Sequence, residues 1–380
     1  MAGTTTKGDH AQRFTNYLSR LLERGRWGPL AELRRGLGHQ PGEVPSADRH
    51  WWAWTGQRLE DTDPEKWDKI HHLVATLFAS HVVGKEPGDV RMRVNLAEAL
   101  REVAKGKAGG SEGGAGSESV EKRFVALLGA TFEDLDVPLR NAVALVKEFD
   151  VDFAQLFRDL DKWDDPNRRV QKEWAKRFWG TRGEGGKGSG AQEAEVPTLL
   201  EHANGFFGKL QDMFAHYDKE GNAGKLAALR RCLGRQPGEV PEAFPVLLNF
   251  LERDARGKRH RTWEKAHYLV AALFAAHVSG KEPRKVERRV KVAEALREVA
   301  KSGGGDGGSD SVEKRFVALL RARFDALDAH LTGALALVRE YDVDFARLLH
   351  DLVRWEDGSR WVQQAWADQF WGTTEPKNQD

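Results

Sequence analysis

Residues 28–45 read GPLAELRRGLGHQPGEVP, and residues 224–241 read GKLAALRRCLGRQPGEVP. Subtracting 28 from 224 gives an offset of 196. The chain can therefore be compared with itself. Residues kept by both copies are better candidates for a needed role than residues one copy has lost. Gly28 followed by Pro29 predicts a helix opening, with proline at the first helical position, where its missing N–H costs nothing. Leu30, Leu33 and Leu37 fall on one face, and Gly38 stands where the helix is expected to end. At about 100° per residue, Arg34 lies at the edge of the leucine face and Arg35 almost opposite it. Leu226, Leu229, Leu233, Arg230 and Arg231 repeat the pattern. A solvated arginine kept in both copies is either a contact residue or a solubilising surface charge.

Outward from this stretch the spacing of apolar residues is helical almost everywhere. Residues 11–24 carry Phe14, Tyr17, Leu18, Leu21 and Leu22 on one face. Residues 65–82 and 91–105 read as helices, as do 119–130, 133–149, 152–163 and 168–179. Asp152 and Gln155 have the spacing of a capping box. No run alternates as a strand would. Residues 105–119, KGKAGGSEGGAGSES, read as a flexible loop by composition. The plan then restarts. AEALREVAK at 97–105 recurs at 293–301, and SVEKRFVALL at 119–128 recurs at 311–320. VDFAQLFRDL at 151–160 answers VDFARLLHDL at 343–352. The expected fold is all-α: two tandem homologous helical-bundle domains, 1–181 and 197–380, joined by a flexible Gly/Glu-rich linker at 182–196.

The formal charge of +1 comes from 59 basic and 58 acidic residues, so any nucleic-acid surface must be a local patch. One cysteine excludes an intrachain disulfide and suits a reducing compartment. The first residues lack the apolar core of a signal peptide, and no run approaches the roughly 18 apolar residues of a membrane span. These features predict a cytoplasmic protein.

The sequence carries little chemistry. His71 and His81 recur as His267 and His277, but about 15 Å of helix separates the two members of each pair, too far for one ion. They read as packing histidines. Cys232 faces Gly36 of the other copy, so a catalytic thiol would serve one domain only. Asp150 and Asp152 recur as Asp342 and Asp344 at a helix start, where aspartate caps free N–H groups. There is no phosphate-binding loop, dinucleotide fingerprint or nucleophile motif. No catalytic residue, metal site or cofactor is expected. The tryptophans kept in both copies read as core, whereas Trp27, Trp51, Trp52 and Trp54 lack partners and stay open between core and base-stacking platforms.

Basic residues remain. Lys122 points away from the apolar face of its helix, with Arg123 on the flank, and Lys314 and Arg315 repeat this. Arg168 recurs as Arg360 at the start of the last helix. Lys85 and Lys281 sit at a GKEP turn. Lysine and arginine at turns and helix ends suit phosphate positioning.

Taken together, LAELRRGLG with its PGEVP turn, LVATLFASH, EKRFVALL, and VDFAQLFRDLDKW followed by VQKEWAKRFW resemble the CasB family, the small subunit of type I-E CRISPR Cascade. Each motif occurs in both halves. The resemblance implies a non-enzymatic helical protein of antiviral defence, normally present as two separate chains side by side. These line the path of the guide RNA–target DNA hybrid and the displaced strand. It implies that Arg35 and Arg231 face nucleic acid, with Lys122, Arg123, Lys314, Arg315, Arg168 and Arg360 as further contacts. Arg34, Arg230, Lys85 and Lys281 complete the candidate set. The implied partners are other Cascade subunits, CRISPR guide RNA and target DNA, with no membrane. The departure is the fusion of two copies, which are expected to pack as an intrachain pseudo-dimer. Covalent linkage sets the second copy's local concentration near the millimolar range. The competing reading is a helical protein–protein scaffold without a nucleic-acid role.

Overall fold

In the computed structural model, the described residues are 7–56, 63–85, 94–106, 115–180, 198–219, 221–251, 262–284, 289–302 and 306–372. They form two units, Met1–Gly180 and Thr181–Asp380. The 182–196 segment lies outside the described residues.

In the first unit, α1 (Lys7–Glu23) and α2 (Trp27–Arg35) precede two single turns, α3 (Pro45–Asp48) and α4 (Trp52–Thr55). Then come α5 (Pro64–His81), α6 (Leu96–Ala104), α7 (Ala115–Gly129), α8 (Asp136–Leu145), α9 (Phe153–Asp161) and α10 (Arg169–Trp179). The hub is α5. Asp63 opens it by accepting from the amides of Glu65 and Lys66, and Pro64 takes the first position. The helix is then buried nearly all round, from Trp67 to His81, as an apolar-sided helix must be. It packs against α1, α2, α4, α8 and α9, while α6 packs against α7, α8 and α10. Val94 N donates to Asp150 O and Asp152 N to Val94 O, a single parallel bridge that ties the start of α6 to the start of α9.

The second unit repeats the plan. Its helices are α11 (Leu199–Ala215), α12 (Asn222–Arg231), α13 (Phe244–Leu251), α14 (Trp263–His277) and α15 (Val292–Ser302). They continue as α16 (Asp306–Arg321), α17 (Leu327–Leu337), α18 (Phe345–Val353) and α19 (Trp361–Trp371). Val290 bridges to Val343 as Val94 does to Val151. Strands are absent among the described residues.

Several boundaries differ from the expectation. The α2 helix opens at Trp27, not Gly28, so Pro29 is its third residue. That position still lacks an obligatory intrahelical N–H partner, so proline is tolerated there. The helix closes at Arg35, and Gly38 (φ +86°) turns the chain beyond it, as Gly234 (φ +70°) does in the second copy. The glycine-rich loop is shorter than its composition suggests, since α7 begins at Ala115 and α16 at Asp306. Residues 107–114 lie outside the described residues. Asp152 Oδ1 accepts from Gln155 N at 2.8 Å. The Gln155 amide turns to Asp159 at 2.7 Å, so only one arm of the predicted capping box forms.

Candidate nucleic-acid interface

Burying Leu30 and Leu33 against α5 fixes the rotation of α2 and leaves Arg34 and Arg35 both exposed in its last turn. That position also suits a cation, because the helix dipole is negative there. The offset of Arg34 toward the leucine edge does not bury it: at the helix end there is no further turn to cover it. In α12, Arg230 and Arg231 are likewise exposed. Arg230 donates to Ser279 Oγ at 2.6 Å, and Arg231 pairs with Glu242 at 3.2 Å. Both partners lie at the surface, so water screens these contacts and they leave the guanidinium groups accessible. Lys122, Arg123, Lys314 and Arg315 are exposed on the outer faces of α7 and α16, with Lys314 2.7 Å from Asp310 one turn earlier.

The other candidates are tied into the fold. Lys85 Nζ donates to Phe149 O at 2.9 Å and lies 3.4 Å from Asp150. His81 Nε2 reaches the same carbonyl at 2.8 Å, so its proton sits on Nε2. Lys281 is held 3.0 Å from His277, whose Nε2 donates to Tyr341 O at 2.9 Å. Burial, set against the Asp342 carboxylate, holds the Lys281 ammonium below the usual lysine range. Arg168 and Arg360 cap α10 and α19 in the left-handed region, at φ 51° and 53°. Their guanidinium groups reach back to the ends of α7 and α16, on Leu128 O and on Leu320 O, the latter at 2.8 Å. Nine of the twelve candidates are thus exposed, Arg360 among them although it bonds to α16, while Lys85, Lys281 and Arg168 are half-buried at joints between helices.

The remaining polar residues serve packing. Trp163 and Trp355 donate to Ala130 O and Ala322 O, each at 3.0 Å. Trp174 and Trp366 donate to Asp159 and Asp351, each at 2.7 Å. Trp51 is buried and Trp54 packs edge-on against Phe14, whereas Trp27 and Trp52 are 49% and 58% exposed. Cys232 is buried, and burial pushes its thiol up to about 12, which removes it as a nucleophile at neutral pH. Among the described residues no group of three or more His, Cys, Asp or Glu side chains could hold a metal ion. Nor is any described helix long and apolar enough to cross a membrane.

Sequence reasoning missed the partner of each central histidine. His10 Nε2 lies 2.8 Å from His71 Nε2, and His202 Nε2 lies 2.8 Å from His267 Nε2. The repeat held the signal: HAQRF at 10–14 and HANGF at 202–206 share a histidine four residues before a phenylalanine.

The family profile described as CRISPR-associated protein Cse2 matches residues 29–179 and again residues 225–371. The CRISPR-associated protein Cse2 of Thermus thermophilus is 43% identical over 146 residues, which span 38% of this chain and 78% of that protein. The crystal structure of CasB from Thermus thermophilus is similar at 37% identity, covering 45% of this chain and 98% of its own, with a TM-score of 0.37. That of M. ruber CasB is similar at 28% identity over 46% of this chain and 92% of its own, with a TM-score of 0.35.

Proposed function

The chain belongs to the CRISPR-associated Cse2 family and carries two copies in tandem, and from that premise we propose that it is a non-catalytic small subunit of a type I-E Cascade complex in antiviral defence. Its exposed cations hold the backbone of the guide RNA–target DNA hybrid and of the displaced strand, and so stabilise the R-loop. One fused chain supplies both small-subunit copies. The observation that carries this reading is the pair of adjacent exposed arginines at the same helix end in both domains, Arg34–Arg35 and Arg230–Arg231. The α12 contacts to Ser279 and Glu242 lie at the surface and leave both guanidinium groups accessible. Lys122, Arg123, Lys314 and Arg315 extend the surface, while Lys85, Lys281, Arg168 and Arg360 act through the fold.

The test is target-DNA affinity of the assembled complex at several salt concentrations, with the double variant Arg35→Ala/Arg231→Ala. Losing two phosphate contacts lowers the magnitude of the salt slope by about two and weakens binding roughly tenfold or more. Sequence preference stays the same, because base pairing with the guide does the reading. Thermal stability also stays, since exposed substitutions usually shift it by no more than about 0.5 kcal/mol. An unchanged salt slope in a normally melting variant would reject the assignment.

A further inference from the structure

The two domains share a frame but not a surface. His10 and His202, Phe14 and Phe206, and Leu18 and Leu210 are equivalent and buried in α1 and α11. The outer faces of these helices differ in charge. Arg13, Arg20 and Arg24 are exposed, and at about 100° per residue they fall within some 20° of one line. Arg24 N still donates to Arg20 O at 3.1 Å, so the helical line runs through it. The equivalent residues on α11 are Gly205, Asp212 and His216, all exposed. Asp9 lies on the same line one turn before Arg13 and offsets that end. The positive surface therefore centres on Arg20, Arg24 and, in the turn, Arg26. The turn after α11 carries Tyr217, Asp218 and Lys219, all exposed, with one charge of each sign and no arginine.

An aromatic residue follows these arginines in the chain. Gly25 adopts φ +61° and turns the chain, and Trp27 N donates to Gly25 O at 2.9 Å. A β-carbon placed on Gly25 would lie 3.7 Å from the Trp27 indole nitrogen, so the ring folds back over Gly25, which Arg24 and Arg26 flank in the chain. It stays 49% exposed. Its equivalent in the second copy, by the 196 offset, is Ala223. Folding does not require this surface, because α11 builds the same buried face beneath acidic and small residues. Solubility does not require it either, since charge of either sign serves.

We propose that the end of α1 and the turn after it, Arg20, Arg24, Arg26 and Trp27, form a single-stranded nucleic-acid site confined to the first copy. The arginines hold phosphates and the indole stacks on a base, the combination that binds single strands without sequence preference. The second copy lacks this site, so the tandem copies are not interchangeable. The proposal rests on the nucleic-acid role argued above and adds a site outside the shared arginine pairs.

The experiment uses the full chain and a mixed-sequence single-stranded DNA oligonucleotide, with binding followed by fluorescence anisotropy across a salt series. Single strands give a slope of about 0.7 per phosphate contact. Replacing Arg20, Arg24 and Arg26 with alanine lowers the slope magnitude by about two and weakens binding at least tenfold. Replacing all three with lysine keeps the slope. Trp27→Ala weakens binding without changing the slope. Placing arginine at Asp212 and His216 raises the slope. A triple-alanine variant with the parent's slope overturns the proposal, as does a triple-lysine variant that loses it. If Arg35→Ala/Arg231→Ala lowers the slope while the triple-alanine variant does not, this site fails and the shared arginine pairs stand. If the parent chain shows no salt-dependent binding at all, both readings fall. Should the triple-alanine variant melt early, the lysine and transplanted-arginine variants decide.

Discussion

His10 and His71 share one proton across 2.8 Å between their Nε2 atoms, and the direction of sharing is fixed. His71 Nδ1 lies 2.8 Å from Trp67 O, a carbonyl that can only accept, so Nδ1 carries His71's proton. His71 Nε2 then accepts, and His10 Nε2–H donates. His202, His267 and Trp263 O repeat the arrangement, with His267 Nδ1 2.8 Å from Trp263 O. Each pair pins the first helix of its domain to the central one and cannot form with both rings charged.

This pair makes stability pH-dependent. Burial, with the Arg13 charge adding to it, lowers His10 to about 4, and burial lowers His71 to about 3. Burial likewise lowers His267 to about 3. The unfolded chain titrates near 6.5 and so binds more protons than the fold below that pH. Stability is complete above about pH 6.5 and falls as pH drops toward 4. By pH 5 the loss is on the order of 2 kcal/mol for each of these buried histidines. Melting curves from pH 7.5 to 5 check this, and His10→Phe with His202→Phe reduces the dependence without abolishing it, because His71, His81, His267 and His277 stay buried.

Gly36 is required by its surroundings, not by its backbone. A β-carbon there would meet Ala47 Cβ at 3.0 Å, Thr76 Cγ2 at 3.1 Å and His72 Cε1 at 3.2 Å. The second copy has Cys232, and there Ala272 in place of Thr76 removes one of the crowding methyl groups, although Tyr268 in place of His72 is larger. Gly36→Ala destabilises the first domain by about 1–3 kcal/mol through overpacking. Adding Thr76→Ala recovers part of that loss. Cys232→Gly does not mirror the effect, since it opens a gap instead. Urea unfolding of the full chain separates these outcomes.

Arg168 and Arg360 are expected to matter more for stability than for binding. Alanine at either site keeps the strained φ but loses the guanidinium bond that joins the last helix to the carboxyl end of α7 or α16. The loss is about 1–3 kcal/mol. Glycine at the same position is less damaging than alanine, because it relieves the left-handed backbone. A melting series of alanine, glycine and lysine variants gives the ranking. Alanine variants that melt normally and bind nucleic acid poorly would place these residues at the interface instead.

Trp366 holds a buried carboxylate in place. Its Nε1–H donates to Asp351 at 2.7 Å, and Asp351 also meets Arg347 at 3.1 Å. Trp366→Phe preserves most apolar contact but leaves that oxygen short of a donor, at about 1–3 kcal/mol. Trp174→Phe, acting on Asp159, gives a loss of the same sign in the first domain. Chemical denaturation of each variant measures both.

Sequence by itself determined the helical class, the tandem repeat and the buried faces. Apolar spacing within one helix decides which side is buried, and that information is local. Leu30 and Leu33, Phe124 and Leu127, Trp174 and Phe178 are all buried as their spacing requires. The repeat added evidence an isolated domain lacks, since shared residues stood apart from variable ones. Helix ends were less legible. Pro29 fits either of two positions in a first turn, and Gly-rich composition does not stop a helix from opening at Ala115.

Only the tertiary structure decided which cations are available. Arg35 and Arg168 look alike as basic residues at helix ends. One is left in solvent because α2 stops there. The other is drawn inward because α7 brings a free carbonyl to it, forty residues away in the chain. His10 meets His71 from sixty-one residues away for the same reason. Periodicity specifies the face of one helix, whereas a hydrogen bond between helices depends on how two faces pack, and no spacing along the chain encodes that.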